Sequence, residues 1–137
     1  SLRARAAGLK YNPPANNDFL SALPEEQQAD LLERAVTLFE RFAGKRPVAF
    51  RAGCFAANRE TLRCLSRLGI VVDTSFNPCF PHWSFPGESL TPNRVSRIEN
   101  VWEIPVTVAR TQLWDGGAGL KPADPCAIRV SELRTLL

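Results

Sequence analysis

The sequence predicts an α/β domain built on parallel strands. Three neighbouring stretches carry that prediction. Residues 48–50, Val-Ala-Phe, form a short apolar run that suits a buried strand. Residues 59–68 form a helical run in which Leu62, Leu65 and Leu68 recur by threes with Cys64 beside them, so that one face is apolar. Asn58 stands before this run as an N-cap, and Gly69 stands after it where a left-handed residue is wanted. Residues 70–72, Ile-Val-Val, are β-branched and read as a second buried strand. Strand, loop, helix and strand make one βαβ unit, parallel and right-handed by default.

This unit also says where a site would lie. In parallel α/β folds, ligands bind at the carboxyl ends of the strands. Arg51 directly follows the first strand, and Asp73, Thr74 and Ser75 directly follow the second. If the strands are neighbours, Arg51 and Asp73 share one rim and can pair. Such a pair is either part of a functional site or a plain salt bridge tying two loops.

The remaining elements follow in order. Residues 1–23 are loop-rich, with Pro and Asn concentrated at Asn12, Pro13, Pro14, Asn16 and Asn17. Pro24 suits a first helical turn, and Glu25 and Glu26 favour the positive end of a helix dipole. Leu31, Ala35, Leu38 and Phe42 then form one stripe, with Leu32, Val36, Phe39 and Ala43 alongside, and Gly44 ends the helix. A stripe of this kind is expected to be core. Residues 76–97 are rich in proline and carry the rings of Phe76, Phe80, Trp83 and Phe85. A long loop of this kind suits a binding loop. Its rings either stack on a sugar at the mouth of a strand-end pocket, with Asp73, Phe76 and Trp83 as binding residues, or seal the rim.

Two apolar runs around Glu99-Asn100 read as a hairpin. The second run meets Pro105, so it is an edge strand or finishes there. Residues 111–124, with Gly116, Gly117 and Gly119, read as a flexible loop without phosphate-binding spacing. Ser131, Leu133, Leu136 and Leu137 continue an amphipathic helical pattern up to the last residue.

Composition bounds the function. The chain has 137 residues, 45% of them hydrophobic, enough for one small domain with a core. The net charge of +3 is spread among acidic residues, with no basic run interleaved with aromatics, which argues against nucleic acid. No apolar run approaches the ~20 residues of a membrane span, and the start is not a signal peptide. The four cysteines form no Cys-x-x-Cys pair, which points to reduced thiols and a cytoplasmic setting. There is no Gly-x-Ser-x-Gly turn for a serine hydrolase. His82 is the one histidine; with Cys79 it has metal-like spacing, but further zinc ligands are lacking, and no metal site is expected in this chain. Methionine is absent, so the sequence is expected to be a partial domain, incomplete at both ends.

The stretch Arg46-Pro-Val-Ala-Phe-Arg51-Ala-Gly-Cys-Phe-Ala-Ala-Asn-Arg-Glu-Thr-Leu-Arg-Cys-Leu-Ser-Arg-Leu-Gly-Ile70, followed by Asp73-Thr-Ser-Phe-Asn77, resembles the third motif of the polysaccharide deacetylases with NodB homology, carbohydrate esterase family 4. Trp102-Glu-Ile-Pro-Val-Thr107 resembles the following strand in a bacterial subgroup of that family. The resemblance spans about residues 20–110, best over 24–110. It implies part of a distorted (β/α) barrel and a metal-dependent hydrolase that removes acetyl groups from amino sugars of a polysaccharide or oligosaccharide. In such an enzyme a zinc-like divalent metal, held by one aspartate and two histidines, activates water. Arg51 matches the arginine that orients the base aspartate. Lys10 and Asn12 stand in the likely places of the metal histidines, and a lysine cation is a poor metal ligand. Base, metal ligands and acid are therefore not found in this chain, which is expected to be inactive alone. A non-catalytic carbohydrate-binding or assembly module of the same fold is the alternative. An open barrel is further expected to expose apolar surface where strands are missing.

Overall fold

The computed structural model describes residues 19–81, 84–112 and 118–123. A short 3₁₀ turn, Leu20–Ala22, leads into helix α1, Glu25–Ala43. Strand β1, Ala49–Phe50, is followed by a second 3₁₀ turn, Gly53–Phe55, and by helix α2, Arg59–Arg67. Then come β2, Val72–Asp73; β3, Ser96–Ile98; β4, Val101–Glu103; β5, Val108–Gln112; and β6, Ala118–Pro122.

The first four strands form one sheet in the order β1-β2-β4-β3. β1 runs parallel to β2, and β2 parallel to β4, as a βαβ connection requires. β3 is antiparallel to β4 and closes that side. The mixed α/β architecture with a parallel sheet thus agrees with the sequence reading. One placement differs. The second strand begins at Val72 rather than Ile70, because Ile70 completes the end of α2. β4 is an interior strand and stops at Glu103, before Pro105, so the missing proline N–H falls outside its ladder.

Helix α1 starts where Pro24 O accepts from the amides of Gln27 and Gln28, at 3.0 Å each. It ends at Gly44, whose φ of 67° turns the chain and aims its amide at Glu40 O, 2.9 Å away. The buried line on α1 is Gln28, Leu32 and Val36, one residue every turn. This corrects the stripe Leu31, Ala35, Leu38 and Phe42: Leu38 is 39% and Phe42 89% exposed. Both stripes are apolar, and the periodicity alone ranks them equally. Gln28 decides between them, because its amide finds partners inside. Its Nε2 donates to Leu23 O at 2.9 Å, and its Oε1 accepts from Thr61 Oγ1 at 2.6 Å.

Helix α2 has a capping box. Thr61 N donates to Asn58 Oδ1 at 3.0 Å, and Asn58 N donates to Thr61 Oγ1 at 3.2 Å. At the other end, Gly69 N bonds Ser66 O and Ile70 N bonds Leu65 O, the paired closure that a left-handed residue permits. Gly69 has φ 73°, and Ile70 and Leu65 are both buried.

The core joins both helices to the sheet: Leu32 and Val36 from α1, Leu62, Cys64 and Leu65 from α2, and Phe76, Phe85 and Val101. Full burial of a side chain such as Leu62 or Leu65 contributes about 2–3 kcal/mol. On the outside of α2, Arg59, Arg63 and Arg67 make ion pairs with Glu25, Glu60, Glu88 and Glu99, linking α2 to α1, to the loop before β3 and to the β3–β4 turn. That turn is Glu99-Asn100, both with positive φ (49° and 66°), as a two-residue hairpin turn demands.

β5 and β6 form a separate antiparallel ladder. Residues 118–122 are therefore strand, which corrects the reading of 111–124 as loop throughout. Glycine-rich composition hid a ladder that backbone pairing makes. Asn93 fixes it: Nδ2 donates to Val108 O and Oδ1 accepts from Val108 N, both at 2.8 Å, so that one side chain acts as a further strand partner. The helical pattern after Ser131 lies outside the described residues.

Just before edge strand β1, Val48 is 65% exposed, and near the end of α1 Phe42 is 89% exposed. Among the described residues no helix is long and apolar enough to cross a membrane.

Candidate functional site at the strand ends

The carboxyl ends of β1, β2 and β4 lie side by side, with Phe50 opposite Asp73 and Asp73 opposite Glu103. Arg51 follows Phe50 out of the sheet and is exposed. Its Nε donates to Thr74 Oγ1 at 2.7 Å and to Thr74 O at 3.1 Å. Its guanidinium carbon stands 5.8 Å from the centre of the Phe55 ring, within cation–π range. Arg51 thus lies on the rim, where its position in the sequence puts it. It makes no ion pair among the described residues, so the Arg51–Asp73 salt bridge does not form. Asp73 is the last residue of β2 and points inward, 0% exposed.

Asp73 meets Glu103 there, which is also 0% exposed. Asp73 Oδ1 accepts from Ser75 Oγ at 2.7 Å, and Oδ2 from Ser75 N at 3.3 Å. Glu103 Oε1 accepts from Phe76 N at 2.8 Å. Glu103 Oε2 has no hydrogen-bond partner among the described residues, although Asp73 stands beside it as its register neighbour on β2. Burial first, and Asp73 second, push the Glu103 carboxyl up to about 9; Phe76 N and the Arg51 charge pull the other way. Burial also raises the Asp73 carboxyl, opposed by its hydrogen bonds from Glu103, Ser75 and Thr74.

Ser75 carries the network across to the Arg51 loop. Its Oγ accepts from Ala52 N at 2.9 Å, next to Arg51 in the chain. In the turn that follows, Cys54 and Phe55 both have positive φ (55° and 59°) without being glycine. Each such residue costs about 1–2 kcal/mol. The surrounding structure offsets this: Phe55 stacks on Phe80 with centroids 6.0 Å apart, and Phe55 N and Ala56 N close the turn onto Ala52 O and Gly53 O.

Of the other binding candidates, Phe76 lies in the core, 6% exposed and edge-on to Phe85. Trp83 and His82 lie outside the described residues, as do Lys10 and Asn12. Burial raises the Cys79 thiol. Cys64 and Cys79 are free thiols.

The donors at this end of the sheet do not fit a divalent metal. Both carboxylates are sealed in, engaged with each other and with Ser75 and Phe76 N, and no third acidic, histidine or cysteine side chain joins them among the described residues. Glu103 is the residue that sequence reasoning missed. A signal was present: in Val101-Trp102-Glu103 the alternation of a strand puts Glu103 on the same face as Val101, which belongs inside.

Comparison with known proteins gives a partial match. Over 55 residues, 40% of this chain, the sequence is 42% identical to the "Peptidoglycan deacetylase-like protein FGM2" of the fungus Gibberella zeae. The matched stretch spans 16% of that relative's length. No family model and no solved structure matches. With the strand-end geometry above, the match supports a relationship between this chain and polysaccharide-deacetylase-like proteins.

Proposed function

We propose that this chain is part of a deacetylase domain with NodB homology, in which Arg51 orients the base of a site that removes acetyl groups from amino sugars of a polysaccharide. The observation that carries this reading is Arg51, standing exposed at the carboxyl ends of parallel strands and held by Thr74. An arginine so held presents its remaining guanidinium N–H groups as a fixed fork, suited to a carboxylate. The base, the metal ligands and the acid come from elsewhere in the domain, and no step of this chain's own runs through a metal. A cytoplasmic setting belongs to the same reading.

The test uses a version of the protein extended by its flanking sequence and supplied with zinc, assayed for acetate release from N-acetylated oligosaccharides. Replacing Arg51 by alanine is expected to lower kcat by about 100-fold, the order of effect of a positioned proton-transfer group, with less change in KM. Full activity in that variant sinks the assignment. A second reading, a non-catalytic carbohydrate-binding module, is favoured by the sealed state of Asp73 and Glu103. Oligosaccharide binding by the extended protein without acetate release would support it.

A further inference from the structure

We propose that Asp73 and Glu103 share one proton, so that they sit in the sheet as a single negative charge, and that this pair positions the Arg51 loop through Ser75. The proposal goes beyond the deacetylase reading and does not depend on it, because it is read by protonation and amide exchange rather than by turnover.

The geometry sets the requirement. The two carboxyls are register partners on adjacent parallel strands, both fully buried. Two carboxylates placed side by side away from water cannot both stay ionised. The available donors show which one keeps the charge. Asp73 accepts from Ser75 Oγ and Ser75 N, as an anion does. Glu103 accepts on Oε1 from Phe76 N, while Oε2 faces no donor and is the one buried carboxyl oxygen among the described residues left without one. A proton on Oε2, donated to Asp73, satisfies that atom and removes the repulsion together. The charged group facing the pair is Arg51, which favours one negative charge there. The guanidinium groups of α2, at Arg59, Arg63 and Arg67, are engaged with surface glutamates instead.

The pair also spans three strand ends. Glu103 holds the Phe76 amide, Asp73 holds Ser75, and Ser75 Oγ accepts from Ala52 N beside Arg51. Asp73 and Glu103 are therefore positioning residues, acting on Arg51 through backbone and Ser75.

The experiment uses the 137-residue chain. Infrared spectroscopy at neutral pH is expected to show the carbonyl band of one buried protonated carboxyl, absent in Glu103→Gln. Glutamine keeps both hydrogen bonds of the protonated acid, so this variant is expected to fold and to keep the Ala52 amide protected from hydrogen exchange. Glu103→Ala loses that protection, as does Ser75→Ala. Because the Glu103 carboxyl sits above its ordinary value of 4.5, at about 9, the folded chain holds a proton that the unfolded chain releases. The folded-to-unfolded ratio should therefore fall by up to tenfold per pH unit between those values, relative to Glu103→Gln, in which this loss is absent. The wild-type infrared spectrum needs no variant to fold, and its lack of a protonated-carboxyl band would overturn the proposal. So would a band that survives in Glu103→Gln, or a pH dependence identical in the two proteins. Unchanged Ala52 protection in Ser75→Ala would overturn the positioning role.

Discussion

Asn58 is the sharpest place to test the fold, because one side chain serves two helices and the turn before them. Its Oδ1 caps α2 by accepting from Thr61 N at 3.0 Å. It also accepts from Thr61 Oγ1 at 2.8 Å and, weakly, from Gln28 Nε2 of α1 at 3.4 Å. Its Nδ2 donates to Ser21 O at 3.3 Å. Asn58→Ala removes the cap, at about 1 kcal/mol. It also leaves part of the buried Gln28–Thr61 pair unsatisfied, for about another 1 kcal/mol. A loss of about 2 kcal/mol should lower Tm by roughly 7 °C for a chain of this length. Asn58→Asp keeps the acceptor and adds a charge that the helix N-terminus favours, losing only the bond to Ser21 O, so it should recover at least half of the loss. Urea titrations followed by circular dichroism measure both. A loss below about 0.5 kcal/mol in the alanine variant, the size of an ordinary surface change, or an aspartate variant as unstable as alanine, would refute the account of the cap.

Leu65→Ala, at a position 0% exposed in the core, should cost about 2–5 kcal/mol in the same titration. Gly69→Ala should cost about 1 kcal/mol through its left-handed φ alone, since an added Cβ meets nothing within 4 Å. Arg63→Ala should lower the urea midpoint at low salt and much less at molar salt, because its partners Glu25 and Glu60 lie at the surface. The partner arginines hold the carboxyls of Glu25 and Glu88 below their ordinary range. Their contribution is therefore present above that range and fades as pH falls through the lowered values, visible as an acid limb in Tm against pH. Phe42→Ser should reduce the binding of a hydrophobic dye, since Phe42 is 89% exposed.

The βαβ unit was legible because every signal agreed: Asn58 before the helix, Gly69 after it, and apolar runs on both sides. The Glu99-Asn100 turn was legible for the same reason. What failed was the choice between faces. On α1, two neighbouring apolar stripes compete, and a buried glutamine that no hydrophobicity count favours marks the inner one. At the rim, Arg51 was found by its place after a strand. Asp73 is the last residue of β2 rather than the first beyond the strand, and it is buried instead of sharing the exposed rim with Arg51. Glu103 escaped because its partner lies 30 residues earlier in the chain, and only strand pairing makes them neighbours.

The inward carboxyls also guard the alignment of the chain with itself. If β4 slid by one residue along β2, Trp102 would swing in and Glu103 would be cast out to water, leaving Asp73 alone in the dark of the core. An apolar pair at these positions would forgive such an error more readily, whereas an acid that tolerates only one neighbour penalises every wrong threading. The cost of keeping two acids inside thus secures a single way of laying the strands together.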